Sequence, residues 1–367
     1  LTCVVDTGGL NADEVANVRV PTLEAFVLPP RVYHDQEVLD YEQDAWFAGG
    51  WVAIGREEDA LIPGQYFLAP VANENMIIVR GNDGELRAFY NVCRHRGARM
   101  LDEPTGTLPR IQCPYHAWVY DLEGSLKQPR HTELLVDFDP AEWGLVPARV
   151  EAWQGIVFID LSGDAPPLQE FLGGIVSEFA RFDLGALRRV RRIDYDVKAN
   201  WKALVENFQE CYHCPGVHPQ LNRITPYNTG QYLPSDGASM NSFMDVLPQF
   251  ETLSMTGDAD GREPMPGMTE EDHKRIYYSV VWPNMLYSLH PDYLMLHFIT
   301  PLEPGRTHVR CEWYFEPREI EKPDFNPTEA IEFWDLTNRQ DWWVCELQQQ
   351  GTKSRAFTQG RYSSMES

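Results

Sequence analysis

Two Cys/His pairs carry the most chemistry in this chain. Cys93-Arg94-His95 and Cys113-Pro114-Tyr115-His116 give C-x-H, 17 intervening residues, then C-x2-H. Two thiolates and two neutral imidazoles suit a [2Fe-2S] cluster in which one iron keeps sulfur ligands and the other takes nitrogen, raising its potential above that of an all-cysteine cluster. Such a centre accepts electrons from a low-potential donor. A structural zinc site is the bland alternative, but zinc ligands usually come as C-x2-4-C and H-x3-5-H, whereas each pair here mixes the two residue types.

A second constellation follows downstream. Asn200-Trp201-Lys202 opens a helical pattern expected over residues 198–213, and Glu210 and His213, three apart, would share one helix face. Pro215 and Gly216 are expected to end that helix and let His218 swing back toward His213. Two histidines plus one carboxylate make the facial triad of non-haem Fe(II), which leaves coordination positions open for O2. Spacing cannot choose the carboxylate, because the chain offers 55 acidic residues. Taken alone, two histidines five apart are weak, since an isolated histidine is more often a hydrogen-bonded core or surface residue; the cluster motif upstream reverses those odds. Cys211-x2-Cys214 lacks the βαβ context of a redox dithiol, so both are expected to be packing residues or outer neighbours of the site.

With these residues in view, the chain resembles the alpha (oxygenase) component of Rieske non-haem iron oxygenases. Cys93-Arg94-His95-Arg96-Gly97 and Cys113-Pro114-Tyr115-His116-Ala117-Trp118 look like the two ligand loops of that family. Asn338-Arg339-Gln340-Asp341-Trp342-Trp343 looks like the C-terminal helix whose early aspartate completes the iron site, which implies Asp341 as third ligand, with Asp335 or Glu346 as fallbacks. The resemblance further implies a ring, usually a homotrimer, in which the cluster of one subunit faces the mononuclear iron of the next across a bridging carboxylate. Glu210 takes that place, joining His116 of one chain to His213 of its neighbour, and Glu210 and Asn207 are the expected catalytic residues. Most members carry Asp at the bridge. Glu within Glu210-Cys211-Tyr212-His213-Cys214 looks instead like the branch acting on carnitine, proline betaine and glycine betaine.

The implied activity is that of a terminal oxygenase. It would use O2 and electrons, ultimately from NAD(P)H through a separate flavin and iron-sulfur reductase or an intervening ferredoxin, to hydroxylate or oxidatively N-demethylate a small substrate. A quaternary ammonium compound is the first expectation and an aromatic ring the second. The chain shows neither a Gly-rich nucleotide fingerprint nor a plant-type ferredoxin motif, so the reductase must be another protein. A pure Rieske electron carrier is the non-enzymatic reading, and it would need neither the two histidines nor the long segment after the cluster motif.

These residues need an α+β frame. From Trp46 to Leu161 short apolar runs (51–54, 76–79, 86–90, 117–120, 156–159) alternate with turn signals such as Asn82-Asp83-Gly84 and Leu122-Glu123-Gly124, predicting a small antiparallel β Rieske domain over residues 46–161. Residues 1–45 read as an arm and a helix packing on the catalytic domain, with nothing catalytic in them. Residues 162–367 mix helical patterns (167–182, 198–213, 328–350) with strands (277–288, 293–300, 307–316), a larger α+β, helix-grip-like catalytic domain with an antiparallel sheet. Residues 223–270 lack periodicity and are expected to be either a mobile cover over a site or disordered. Tyr277, Tyr278, Trp282, Tyr287 and Tyr293 fall on strands that would wall the site, where aromatic faces attract ammonium groups, although alternating aromatics are ordinarily core.

Composition narrows the partners. The 367 residues are 43% hydrophobic, enough for two cores, and the formal charge of -24 repels nucleic acid and anionic membranes. No run approaches a spanning helix and the N-terminus shows no secretory pattern, so the cytoplasm is the expected location. The seven cysteines, Cys3, Cys93, Cys113, Cys211, Cys214, Cys311 and Cys345, are odd in number and sparse, unlike a secreted disulfide scaffold.

Overall fold

Short alternating runs become paired strands in the first unit, residues 43–171 of the computed structural model, which describes residues 9–10 and 12–366 and leaves Cys3 outside them. Its main sheet has seven antiparallel strands in the order Trp51–Arg56, Ile156–Asp160, Pro147–Trp153, Leu86–Tyr90, Glu74–Arg80, Gln65–Val71 and Thr105–Thr107. A three-stranded sheet of Ile111–Gln112, Val119–Tyr120 and Leu126–Gln128 packs its buried Ile111, Tyr120 and Leu126 with Phe89, Trp118 and Leu145 in one apolar cluster that also contains Cys93 and Cys113. The turn at Gly124 needs glycine twice over. Its φ is +89°, and a Cβ there would lie 2.5 Å from the Phe89 ring.

The two ligand loops are near copies of one another. Cys93 N–H donates to Ala98 O and Gly97 N–H to Cys93 O, while Cys113 N–H donates to Trp118 O and Ala117 N–H to Cys113 O. In each loop the fifth residue is left-handed, Gly97 at φ +71° and Ala117 at φ +56°. That conformation lets five residues reverse the chain, and Ala117 adopts it despite its Cβ.

The second unit joins the residues up to Glu42 with those from Leu172 onward. Its antiparallel sheet runs Arg188–Val197, Arg306–Phe315, Leu294–Glu303, Met285–Leu289, Arg275–Val281, Ser239–Asp245 and Gln231–Tyr232. The helix Thr328–Gly351 lies where the sequence pattern puts it, burying Ala330, Phe333, Trp334, Thr337, Asn338, Trp342, Cys345 and Gln349 at the three- and four-residue spacing of a single face. Together the two units give the α+β architecture expected, with both sheets antiparallel.

Three expectations need correction. The helical pattern 198–213 yields only Trp201–Phe208, capped by the Asn200 side chain accepting from Lys202 N–H at 3.0 Å. Pro215 and Gly216 begin a short helix, Cys214–Val217, rather than ending a long one; proline suits a first helical turn because its missing N–H is unneeded there. Residues 223–270 are not disordered: Ser239–Asp245 pairs along its length with Arg275–Val281, the buried Asp292 ties in Arg262 (2.8 Å) and Thr252 (2.6 Å), and Tyr227, Ser242 and Phe243 line the site's cavity, as a cover would.

The N-terminal segment also does more than lead into the fold. Glu42, buried, accepts from Lys202 Nζ at 2.7 Å and from Trp201 Nε1 at 2.8 Å, and Tyr33 donates its hydroxyl to Glu206 at 2.7 Å. These three contacts clamp the first turns of the helix that precedes Glu210. Among the described residues no helix is long and apolar enough to cross a membrane.

Candidate active site

In the first unit the ligand loops bring their four side chains together. The rings of His95 and His116 lie 4.7 Å apart, His95 stacks on Trp118 at 4.8 Å, and Cys93 and Cys113 are free, buried thiols. Tyr120 Oη sits 3.5 Å from Cys93 Sγ, and burial pushes the Cys113 thiol up. His116 Nδ1 is buried without a hydrogen-bond partner, an orphaned donor atom of the kind a cluster iron satisfies. The donor set therefore fits a [2Fe-2S] centre with two sulfur and two nitrogen ligands. Arg94 packs by donating to Gly144 O at 3.0 Å, whereas Arg96 is exposed over the Tyr115 ring.

The second unit assembles His213, His218 and Asp341, whose ligand atoms all lie within 4.8 Å of one another. Asp341 Oδ1 stands 2.7 Å from His218 Nε2 and 3.3 Å from His213 Nε2. The far nitrogens are also held: His213 Nδ1 lies 2.6 Å from Glu210 Oε1, and His218 Nδ1 lies 2.8 Å from Gln340 Oε1. Each ring thus donates Nδ1–H outward and points at Asp341 its Nε2, the atom that would release its proton to take up a metal. Asp335 and Glu346 face elsewhere. Asp335 accepts from Tyr195 Oη (2.7 Å) and Arg339 Nε (2.9 Å), and Glu346 accepts from Lys198 N–H (3.0 Å).

Glu210 reaches His213 from a turn instead of a helix face. Its carboxylate also accepts the N–H groups of Tyr212 and His213, and this competition with helical bonding ends the helix at Phe208. The same turn brings Cys211 and Cys214 to a Cα separation of 5.0 Å, and the two form a disulfide bracketing His213; both line the cavity at the site, the outer neighbours expected rather than packing residues. Asn207 Nδ2 lies 3.3 Å from His213 Nε2.

The site favours positive charge. Burial works against protonating His213, but Asp341 and Glu210 outweigh it and hold the ring up at about 9; burial likewise opposes ionising Asp341, yet its hydrogen bonds from His213 and His218 keep the carboxyl below its usual range. Two carboxylates around two imidazoles form a seat for a cation.

One helical turn before Glu210, burial pushes Glu206 up to about 7 from 4.5, against the opposing pull of Tyr33 and Lys202. A carboxyl whose folded value is raised contributes stability in full below about 4.5 and loses it as pH rises through about 7. Glu206→Gln, which mimics the protonated acid, should therefore leave stability at about pH 4 nearly unchanged and raise it at about pH 8 by about 3 kcal/mol, the worth of a shift of that size. Denaturant melts at the two pH values check this, and equal effects at both would refute it.

Above the site opens a cavity of about 290 Å³ lined by Phe208, Tyr278 and Trp334, with Asn207, Glu210, His213, His218 and Asp341 on its floor. Of the five aromatic residues marked on the strands, only Tyr278 reaches it. Tyr287 and Tyr293 are fully buried core, Tyr277 is buried and bonds Asp272, and Trp282 packs on Trp201. Sequence reasoning missed Gln340, Trp334 and Thr337; all three lie on the Asp341 helix one or two turns apart, and helical spacing from Asp341 would have found Trp334 and Thr337.

Two family matches cover the two units. The Rieske [2Fe-2S] domain family matches residues 50–139, and the ring hydroxylating alpha subunit (catalytic domain) family matches residues 184–367. The chain belongs to the ring hydroxylating alpha subunit family: it is the terminal oxygenase component of a Rieske oxygenase, an oxidoreductase with a [2Fe-2S] cluster and a mononuclear iron that draws electrons from a reductase. It is 28% identical to the glycine betaine monooxygenase oxygenase subunit of Pseudomonas aeruginosa, across 92% of this chain and 85% of that protein. It is 29% identical to the carnitine monooxygenase oxygenase subunit of Escherichia coli K12, across 92% and 87%. Its fold is similar to that of the quaternary ammonium Rieske monooxygenase CntA in complex with L-carnitine, with a TM-score of 0.80, 27% identity and coverage of 98% of this chain and 94% of that one.

Proposed function

We propose that this oxygenase hydroxylates a carbon attached to the nitrogen of a small quaternary ammonium compound. Cys93, His95, Cys113 and His116 hold the cluster; His213, His218 and Asp341 hold the iron; Glu210 and Asn207 are the catalytic neighbours. The observation that carries this reading is the cation seat of two histidines and Asp341 directly beneath the aromatic wall of Phe208, Tyr278 and Trp334. Aromatic faces attract ammonium groups, and the similarity to glycine betaine and carnitine monooxygenase subunits supports the same substrate class. When bound, the iron supplies dioxygen activation and the cluster supplies relayed electrons. The chain's own residues do the rest. Glu210 and Gln340 fix the two imidazoles through Nδ1–H, Asp341 supplies the anionic oxygen, and the aromatic wall holds the substrate cation and excludes water.

The reaction consumes O2, two electrons and two protons, and releases water and a carbon carrying both hydroxyl and N+. That carbon breaks from nitrogen as an aldehyde, leaving the amine and a proton; from an N-methyl group the aldehyde is formaldehyde. Glu210 and His213 also line an outward-facing groove beside Tyr33 and Glu206, where the cluster domain of a neighbouring subunit would seat in a homotrimer. The remaining parts of the reading are residues 1–45 as an arm on the catalytic domain, 46–161 as the cluster domain, 162–367 as the catalytic domain, NAD(P)H as the electron source and the cytoplasm as location. The test is to reduce the holoenzyme, expose it to O2 with N-methylated ammonium compounds and simple aromatic acids, and analyse products by mass spectrometry. An aldehyde with its amine is expected. A hydroxylated ring without aldehyde would overturn the substrate class.

A further inference from the structure

Residues 359–366 run from the N-terminal segment to the mouth of the cavity. Gln359 donates to Val27 O at 2.7 Å and accepts from Asn17 Nδ2 at 2.7 Å, while Val27 N–H donates to Gly360 O at 3.2 Å. Arg361 forms an antiparallel bridge with Phe26, donates to Ala25 O (3.1 Å) and Leu23 O (2.8 Å), and holds its guanidinium 4.7 Å from the centre of the Phe26 ring. The chain is thus pinned up to Arg361. Beyond Tyr362 it folds into a turn, with Ser363 N–H donating to the Glu366 carboxylate at 2.5 Å and Glu366 N–H to Ser363 O at 3.1 Å. That turn sets Ser364 and Met365 on the wall of the cavity that holds His213, His218 and Asp341, and Glu366 on the groove outside it.

Met365 and Tyr232, which also lines the cavity, keep 47% and 58% of their surface exposed. Burial, Glu210 and Glu366 push the Tyr232 phenol up, which sets Glu366, the chain neighbour of Met365, close to Tyr232. The two large side chains therefore meet solvent at one mouth, and both lose exposed apolar surface when the methyl groups of a ligand lie beneath them. Elsewhere the wall stands on regular structure, with Tyr278 and Met244 on paired strands and Trp334 on the long helix. The strand and helix positions are fixed by their ladders, whereas a turn closed by its own hydrogen bonds keeps its shape while the residues before it absorb a rotation, the usual build of a small lid. At about 290 Å³ the cavity lies at the lower end of the roughly 300–1,000 Å³ usual for small-molecule sites, so a wall element able to move decides which larger groups enter. We propose that residues 363–366 form a strap across the mouth, hinged on the pinned stretch 359–361, and that Met365 limits the size of the group a substrate can carry. The proposal rests on this cavity being the substrate site and deepens that reading.

Calorimetric titration of the holoenzyme with a small and a large member of two series tests this: tetramethylammonium against benzyltrimethylammonium, and benzoate against naphthoate. The quantity measured is the large-to-small affinity ratio in whichever series binds. Met365→Ala should raise that ratio at least about five-fold over wild type and Met365→Trp should lower it by as much, with iron content and cluster absorbance unchanged in both. Arg361→Ala should move the ratio in the same direction as Met365→Ala, because the Arg361 side chain lies outside the cavity lining and acts only by pinning the strap. Gln359→Ala is the parallel variant. An unchanged ratio in both Met365 variants would overturn Met365 as the size limit. A shift in Met365→Ala beside wild-type ratios in Arg361→Ala and Gln359→Ala would make Met365 a fixed wall and overturn the strap. Binding of the acids alone would overturn the quaternary ammonium reading, and the naphthoate-to-benzoate ratio would still judge the strap.

Discussion

Asp341→Ala should empty the mononuclear site while leaving the visible spectrum of the cluster intact. As the proposed third ligand, Asp341 would contribute the anionic oxygen of the triad, at 2.7 and 3.3 Å from the two imidazoles, and alanine would leave two neutral rings that cannot together retain the ion against water. No neighbour can step in. Asp335 and Glu346, on the same helix, are committed to Tyr195, Arg339 and Lys198 on other faces. The cluster loops draw on different strands, so their absorbance serves as the internal control for folding. Iron analysis should show loss of one iron per chain, and turnover should fall by at least ~10³-fold. Full iron content with normal activity would reject Asp341 as a ligand. Asp341→Asn, which keeps the shape but not the charge, should fall between the two.

The ligand chemistry was legible because its spacing is local. C-x-H and C-x2-H each fit inside one reversing loop, and the structure builds both loops from one hydrogen-bond pattern that the sequence could not display. The helix Thr328–Gly351 was legible because its buried positions repeat regularly. The helix expected to run through Glu210 was misread, since nothing in helix propensity says that a glutamate side chain will capture the backbone N–H groups of Tyr212 and His213 and stop the helix at Phe208. The strand Ser239–Asp245 was missed for a related reason. Its Ser239, Asn241 and Ser242 are polar yet face partners inside the sheet, so the alternation that marks a strand is absent. Long-range partners were invisible altogether: Glu42 and Tyr33 belong to a segment read as having no part in the site, and only the folded chain sets them against Lys202 and Glu206.

Glu210→Gln should leave both metals bound and slow turnover by about 100-fold, the upper range for loss of a partner that orients a metal ligand. The wild-type carboxylate accepts three N–H groups, from Tyr212, from His213 and from the His213 ring. Glutamine has one acceptor oxygen and one donor NH2. Whichever way its amide turns, a donor must face either the backbone turn or the imidazole, so at least one of the three bonds is lost. If the ring bond is lost, His213 no longer has its tautomer fixed and its Nε2 lone pair wanders from the site. If the turn is lost, Glu210 would no longer be placed to face the cluster of a neighbouring subunit in the proposed trimer. Both routes lower the rate without removing a ligand, which distinguishes this variant from Asp341→Ala. The measurement is iron and sulfide content beside single-turnover product formation from fully reduced enzyme. Normal metal content with slow product formation is the expected result; wild-type rates would show that electrons do not pass by way of Glu210.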